Sequence, residues 1–343
     1  MNMKKIYYLF LIMMAGVCCA SCNNEWEDEQ FLQLVSLKAE PNSDGVTPVY
    51  VRYKPGGVVS YNLPLLLSGS TMNTHNCVVH IAVDEDTLKT LNKERYGEMD
   101  KIYYEMLTPE YRSFPETVEI PAGECSALLP ISFTLGGQNG ENPLDLSDKY
   151  ILPLTIVDDL SYNYQANPRK HYRKALLNVI PFNDYSGTYA STQCKITDQD
   201  KGTFTVTERK SYVYDDNTIF IYAGMRDVDY LDRKFYKVFI EFTDEKIDLQ
   251  KKKLRLWSDN DDKVSGNAFE LGSNQSYYTI EEQYDVTKPY LKHIYYTLYI
   301  DYKFVDYHTS PGQRLPYTVQ GTLSMQRDLN TLIPDEDQQI EWD

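Results

Sequence analysis

Apolar and polar residues along this chain fall into short alternating runs separated by turn residues, the signature of β-strands. In the first run, residues 31–39, Leu32, Leu34 and Ser36 alternate against Phe31, Val35 and Leu37. Turn chemistry at Pro41-Asn42-Ser43-Asp44-Gly45 separates it from a strand over 48–53, and Lys54-Pro55-Gly56-Gly57 leads into a third over 58–67, marked by Pro64. Residues 77–83 alternate cleanly and read as a central strand. One helix follows, capped by Asp84 or Asp86, with Leu88 and Leu91 on one face and Gly97 at its end. Strands over 117–120, 126–135, 150–157 and 175–180 complete a first β-domain, with Pro121-Ala122-Gly123 as a turn and 136–142 as a loop.

Pro181-Phe182-Asn183-Asp184 reads as a Pro-containing polar joint between two independent cores, where few contacts should cross. Beyond it, alternation predicts strands over 202–207, 218–223, 235–243, 253–257, 275–280, 291–306 and 317–327, with short connections and no strong helix. An antiparallel meander closed into a barrel satisfies that pattern. In the longest run, Ile294, Tyr296, Leu298, Ile300, Tyr302 and Phe304 form one face, and His293, Tyr295, Thr297, Tyr299 and Asp301 the other. Residues 330–343 form an acidic tail.

The N-terminus breaks the β pattern. Lys4 and Lys5 precede a twelve-residue apolar run, 6–17, which is too short to span a bilayer but suits a secretory signal. Ala20-Ser21-Cys22 resembles a bacterial lipobox, with Cys19 where such boxes usually carry Leu. The resemblance implies cleavage after Ser21 and acylation of Cys22. One acyl chain holds a protein only marginally, at about 0.8 kcal/mol per buried CH₂, whereas two or three anchor it durably. Asn23-Asn24-Glu25-Trp26-Glu27-Asp28-Glu29 is an acidic tether and resembles the signal that exports some lipoproteins to the outer face of the outer membrane. The expected organisation is a signal peptide at 1–21, a tether at 22–30 and domains at 31–181 and 182–343, on a lipid-anchored, surface-exposed outer-membrane protein.

Composition narrows the function classes. A formal charge of −16, made more negative by loss of the leader lysines, disfavours nucleic acid and anionic lipid as partners. The mature chain keeps Cys77, Cys125 and Cys194 besides the lipidation cysteine, which is neither a disulfide framework nor a zinc pattern. Tyr outnumbers Phe by 30 to 12, and tyrosine is the aromatic that tolerates a half-wet position.

Candidate chemistry is sparse. Asp259-Asn260-Asp261-Asp262 with Glu270 suggests a calcium loop, but Lys263 and Val264 occupy positions that such a loop gives to a ligand and a glycine. His75 and Cys77 point to one face of their strand and His80 to the other, so they share no metal site. No Gly-x-Ser-x-Gly, phosphate loop or dinucleotide turn occurs, and nothing singles out a catalytic pair among 50 acids. We therefore expect no catalysis, cofactor or metal. The best functional candidates are rings placed opposite core residues: Trp257 opposite Leu254 and Leu256, and Tyr295 and Tyr299 opposite Ile294, Leu298 and Ile300. Flat rings among polar groups suit the apolar faces of sugars, and the same alternation also suits cross-strand packing.

Several segments, in order, carry a family resemblance: Val79-His80-Ile81-Ala82-Val83, Leu88 to Asn92, Tyr96, Leu107 to Tyr111, Val118-Glu119-Ile120-Pro121-Ala122-Gly123 and Tyr150-Ile151-Leu152-Pro153-Leu154. Residues 31–181 thereby resemble the N-terminal β-sandwich of unknown function on outer-membrane lipoproteins of gut-bacterial glycan-utilisation loci. Gly187-Thr188-Tyr189 resembles the opening of lipocalin-like domains in similar lipoproteins. The expected fold is all-β: an immunoglobulin-like sandwich with one short inserted helix, then a lipocalin-like antiparallel barrel. The expected function is that of a non-catalytic protein that binds an extracellular poly- or oligosaccharide, with Trp257, Tyr295 and Tyr299 as the candidate rings that alternation supplies, beside an outer-membrane transport complex. The rival is an adhesin-like or pilus-like structural subunit whose partner is protein.

Overall fold

The computed structural model describes residues 31–136, 144–145, 148–198, 202–259, 268–310 and 312–334. Cys22 and its tether lie outside the described residues, as do Asn260 to Val264 of the acidic run.

The first β-unit comprises β1 (Leu34–Leu37), β2 (Thr47–Arg52), β3 (Val59–Leu67), β4 (Cys77–Val83), β5 (Tyr104–Met106) and β6 (Arg112–Ser113). It continues with β7 (Thr117–Ile120), β8 (Ser126–Phe133), β9 (Lys149–Ile156), β10 (Gln165–Ala166) and β11 (Lys174–Phe182). One sheet runs β10, β1, β3, β8, β6; the other runs β2, β11, β9, β4, β7, with β5 also on β9. Alternation turns Leu63, Leu65, Leu129, Ile131 and Phe133 of the first sheet against Val49, Val51, Val79, Leu152 and Leu177 of the second, all buried. This is a β-sandwich.

The helix, α1 (Glu85–Tyr96), is the one the sequence signals: the Asp84 carboxylate accepts from the Thr87 amide at 3.1 Å, and Gly97, at φ 59°, ends it. Lys174 of β11 pairs with Asp84 at 2.6 Å, tying the cap to the sheet. Leu88 and Tyr96 pack with Val46, Tyr104 and Ile151 on the outer face of the second sheet.

The second unit comprises β12 (Gly187–Asp198), β13 (Gly202–Thr205), β14 (Glu208–Val213), β15 (Thr218–Tyr222) and β16 (Lys237–Lys246). It ends with β17 (Lys252–Trp257), β18 (Ala268–Leu271), β19 (Tyr277–Tyr284), β20 (Leu291–Asp306) and β21 (Leu315–Asn330). Antiparallel pairing passes through β12, β14, β15, β16, β17, β19, β20 and β21, and β21 returns to β12. The result is an antiparallel barrel without open edges on that path. Two of its ladders are only two pairs wide: β17 to β19, through Lys252↔Tyr278 and Lys253↔Tyr277, and β14 to β15. Side chains fill the interior: Leu254, Leu256, Ile294, Tyr296, Leu298, Ile300, Tyr302 and Phe304 are all buried, as alternation predicts.

Three barrel strands escape the alternation signal: β18, which is only four residues long, and the longer β12 and β14. The longer two mix small or charged residues with apolar ones on the inward face: Ser191 and Asp198 beside Tyr189, Cys194 and Ile196 on β12, Arg209 and Ser211 beside Val213 on β14, all buried. The Arg209 guanidinium donates through its two terminal nitrogens to the carbonyls of Tyr222 and Gly224, which replaces part of the water it gives up. β12 also carries a bulge between Ala190 and Gln193, which breaks its period.

The joint between the units also differs from the loose link expected of it. Pro181 and Phe182 complete β11, paired to Val51 and Arg52 of β2, and Phe182 is fully buried. Arg52 and Arg327 place their guanidinium carbons 5.6 and 5.5 Å from the Phe182 ring centre and pair with Asp184 at 2.8 and 3.1 Å. The Asn183 side chain accepts from the amides of Tyr185 and Ser186 and donates to the Asp215 carbonyl. One continuous cluster holds most of the buried apolar residues of both units. The two cores meet instead of standing apart.

Candidate functional site

The barrel has two unlike outer walls. One, built on β14 to β17, carries an aromatic ladder set by strand register: Tyr212 opposite Phe220, Phe220 opposite Phe239, and Phe239 opposite Trp257. The Tyr212–Phe220 rings stack at 5.2 Å and the Phe239–Trp257 rings at 5.4 Å, with Tyr214 edge-on to Phe239. Phe220 and Phe239 are buried although they point away from the interior, because this wall faces the sandwich. Lys237 lies over the Phe220 ring and reaches Asp145 at 2.7 Å, and Arg233 reaches Asp148 at 2.9 Å.

Trp257 is the outer end of that ladder. Leu254 and Leu256 are buried as alternation demands, and Trp257 takes the opposite face, where it is half-buried against Phe239. It does not join the other two candidate rings. It lies four residue steps along β17 from Lys253, roughly 13 Å, and two further strand steps lead through Tyr277 to Tyr299.

The other wall, β19, β20, β21 and the adjoining part of β12, faces solvent. Tyr295 and Tyr299 lie on it together, both half-buried. Register adds a ring that alternation within one strand does not mark. Tyr277 sits directly opposite Tyr299, and the two stack at 5.3 Å with 16° between planes. Gln320 of β21 donates to the Tyr299 hydroxyl at 3.0 Å, and Lys251 lies 4.6 Å from the Tyr277 ring centre. Thr279, Glu281, Thr297, Thr322, Ser324 and Gln326 fill the positions between the rings. At one end His293 bridges Asp328, at 2.7 Å, and Asp285, at 3.4 Å. The Asp328 hydrogen bond, with Asp285 behind it, raises the imidazole above its ordinary pKa and favours the charged ring. At the other end Asp301, buried beneath the edge, accepts from the Asn274 amide and side chain at 2.9 and 2.7 Å.

Chemically this wall is a flat row of phenol rings interleaved with hydroxyls and amides. Rings offer apolar faces and the groups between them offer donors and acceptors, which suits a hydroxyl-rich ligand lying along the strands. Among the described residues no group of three or more His, Cys, Asp and Glu side chains is placed to hold a metal ion. Cys77 is buried, whereas His80 stacks on Tyr162 at 4.0 Å.

A second concavity opens between the two units. It measures about 430 Å³, and its lining comes from both: Pro48, Tyr50 and Asn178 of the sandwich, Tyr104 beside them, and Lys210 and Tyr212 of the barrel. No sequence signal marks it, because its lining is gathered from separate stretches of the chain between Asn42 and Asp229.

Residues 26–160 match a family model described as domain of unknown function DUF4973, and residues 173–324 match a model of a C-terminal domain. No protein of curated description matches the chain. Among solved structures, a Bacteroides ovatus protein of unknown function is 40% identical, with a TM-score of 0.77 over 90% of this chain and 96% of that one. A second from Bacteroides ovatus is 42% identical, with a TM-score of 0.76 over 90% of this chain and all of that one. A third, described as an auxiliary nutrient binding protein of Bacteroides thetaiotaomicron, is 38% identical, with a TM-score of 0.75 over 88% of this chain and 97% of that one.

Proposed function

This chain belongs to the family of those Bacteroides proteins, and from that premise we propose that it is a nutrient-binding protein whose nutrient is an extracellular polysaccharide, held without chemistry. The observation that carries the reading is the open tyrosine wall: the stacked Tyr277–Tyr299 pair, Tyr295 about 13 Å further along β20, and side-chain hydroxyls and amides between them. That spacing suits a chain of sugars better than a single ring. In this reading the sandwich is a spacer and carries no catalytic group. The relative's description as nutrient binding supports the class of ligand, and the acidic charge argues against nucleic acid.

Affinity of the mature body for a panel of plant, fungal and host polysaccharides tests the reading against its rival, an assembly protein with a protein partner. At least one polysaccharide should be bound and none hydrolysed. Binding of none, with capture of a surface protein instead, would favour the rival.

The location is part of the proposal. Acylation at Cys22 would hang the body from the outer membrane by residues 22–30, facing outward. Among the described residues no helix is long and apolar enough to cross a membrane. Cys22→Ser should therefore abolish labelling by a fatty-acid probe and release the protein from the membrane fraction. Label retained by the serine variant would place the anchor elsewhere.

A further inference from the structure

The cleft between the two units is a built site of a different shape from the tyrosine wall. Its floor is the outer face of the β2–β11 pair, where Tyr50 stands opposite Ile180 and Pro48 opposite Asn178. Tyr104 and Lys149 of the sandwich and Tyr212 with the Val228-Asp229 turn of the barrel add to the lining, and the Lys149–Asp229 pair links the two units there. Its 430 Å³ falls within the range of about 300–1,000 Å³ that small-ligand pockets occupy, toward the low end, and clefts between domains are where such pockets concentrate.

The chemistry of the lining defines what fits. Every carboxylate there already has a cation: Asp44 pairs with Arg95 at 2.6 Å, Asp148 with Arg233 and Lys234 at 2.9 Å each, and Asp229 with Lys149 at 2.8 Å. The one further lysine, Lys210, is exposed. A cation would have to displace one of these pairs and an anion would meet only the exposed Lys210, whose charge water screens, whereas a neutral ligand can use the remaining lone pairs of the carboxylates and the amide of Asn178. Burial pushes the phenols of Tyr104 and Tyr212 well above their ordinary pKa, so both hydroxyls stay protonated and uncharged. Aromatic faces, amide and paired carboxylates together make a site for a neutral, hydroxyl-rich molecule of one or two rings.

We propose that this cleft binds a short neutral saccharide, a mono- or disaccharide, as a site separate from the polymer-binding wall. The proposal rests on the carbohydrate reading above. The two sites lie on different walls of the barrel, β14 for the cleft and β19 to β21 for the platform, so a polymer stretched on the platform does not enter the cleft. Because both units line it, a bound sugar bridges them and stabilises the native state by mass action.

The test titrates the full-length protein with mannose, glucose, galactose, N-acetylglucosamine and their disaccharides, reading saturation-transfer NMR, calorimetry and melting temperature. At least one sugar should bind and raise the melting temperature. Tyr50→Ala should weaken it about tenfold, the size of one lost ring contact. Asp229→Asn, on an exposed turn where folding is not at stake, should weaken it in the same direction, and Tyr299→Ala should leave it unchanged. Small-sugar binding that is lost in Tyr299→Ala and kept in Tyr50→Ala and Asp229→Asn overturns the cleft and leaves the platform standing. So does a protein that holds a polysaccharide but none of the small sugars. Small-sugar binding lost in the cleft variants of a protein that holds no polysaccharide supports the cleft and refutes the platform.

Discussion

Arg233→Ala should destabilise the protein by about 3–5 kcal/mol, the usual cost of removing one partner of a buried ion pair. Arg233 is 3% exposed in its side chain and sits on the barrel side of the contact between the units. Its guanidinium donates to Asp148 and to the Lys101 carbonyl, each at 2.9 Å, both in the sandwich, and to Tyr230 in its own loop. Truncation leaves the carbonyl of Lys101 without this donor and Asp148, only 16% exposed, with Lys234 alone. Chemical denaturation and calorimetry measure the loss. Arg233→Met combined with Asp148→Leu should recover part of it, because two apolar side chains leave no uncompensated charge. A loss below about 1 kcal/mol, the range of an exposed pair, would mean that the contact between the units does not hold.

Gly321→Ala should be comparably damaging, for a different reason. Gly321 lies on β21 where that strand closes the barrel against the bulge of β12, with φ at 142°. A methyl group there would stand 2.1 Å from the Gln193 carbonyl oxygen and 2.7 Å from the Cys194 Cα, both backbone, so nothing flexible can yield. Backbone strain of about 1–3 kcal/mol adds to a similar cost for forcing the strands apart. Gly202→Ala is the control: its φ is 92°, but nothing lies within 4 Å of the added carbon, so only the strain remains. Hydrogen exchange should show early loss of protection at the β12–β21 amides in Gly321→Ala and not in Gly202→Ala. Equal melting temperatures for the two variants would contradict the close approach.

Much of the fold was legible because a strand with one buried face announces itself by period. β4, β7 and β20 have the residues that alternation gives them, and the helix begins and ends at its capping residues. β12 and β14 were hidden by the same physics. Their inward positions mix apolar residues with Ser191, Arg209 and Ser211, whose burial depends on hydrogen bonds that no periodicity reveals. At the candidate site, Tyr295 and Tyr299 followed from one strand alone, whereas Tyr277 and Gln320 needed the register between strands. Alternation placed Trp257 on the outer face of its strand, but the sandwich covers that wall and not the other, a fact of tertiary packing. The cleft was illegible for the same reason.

The tyrosine wall is the centre of the account, and one comparison tests it most directly. Affinity for the tightest-binding polysaccharide should be measured for the wild type, Tyr299→Ala and Tyr295→Ala, each beside its melting temperature. Tyr299 and Tyr295 are half-buried on the solvent side of a strand whose inward residues make the core, so removing either ring should barely move the melt. Each removal should weaken binding about tenfold, as expected for one lost stacking contact. A lowered melting temperature with affinity unchanged in the folded protein would make these rings packing residues and contradict the account.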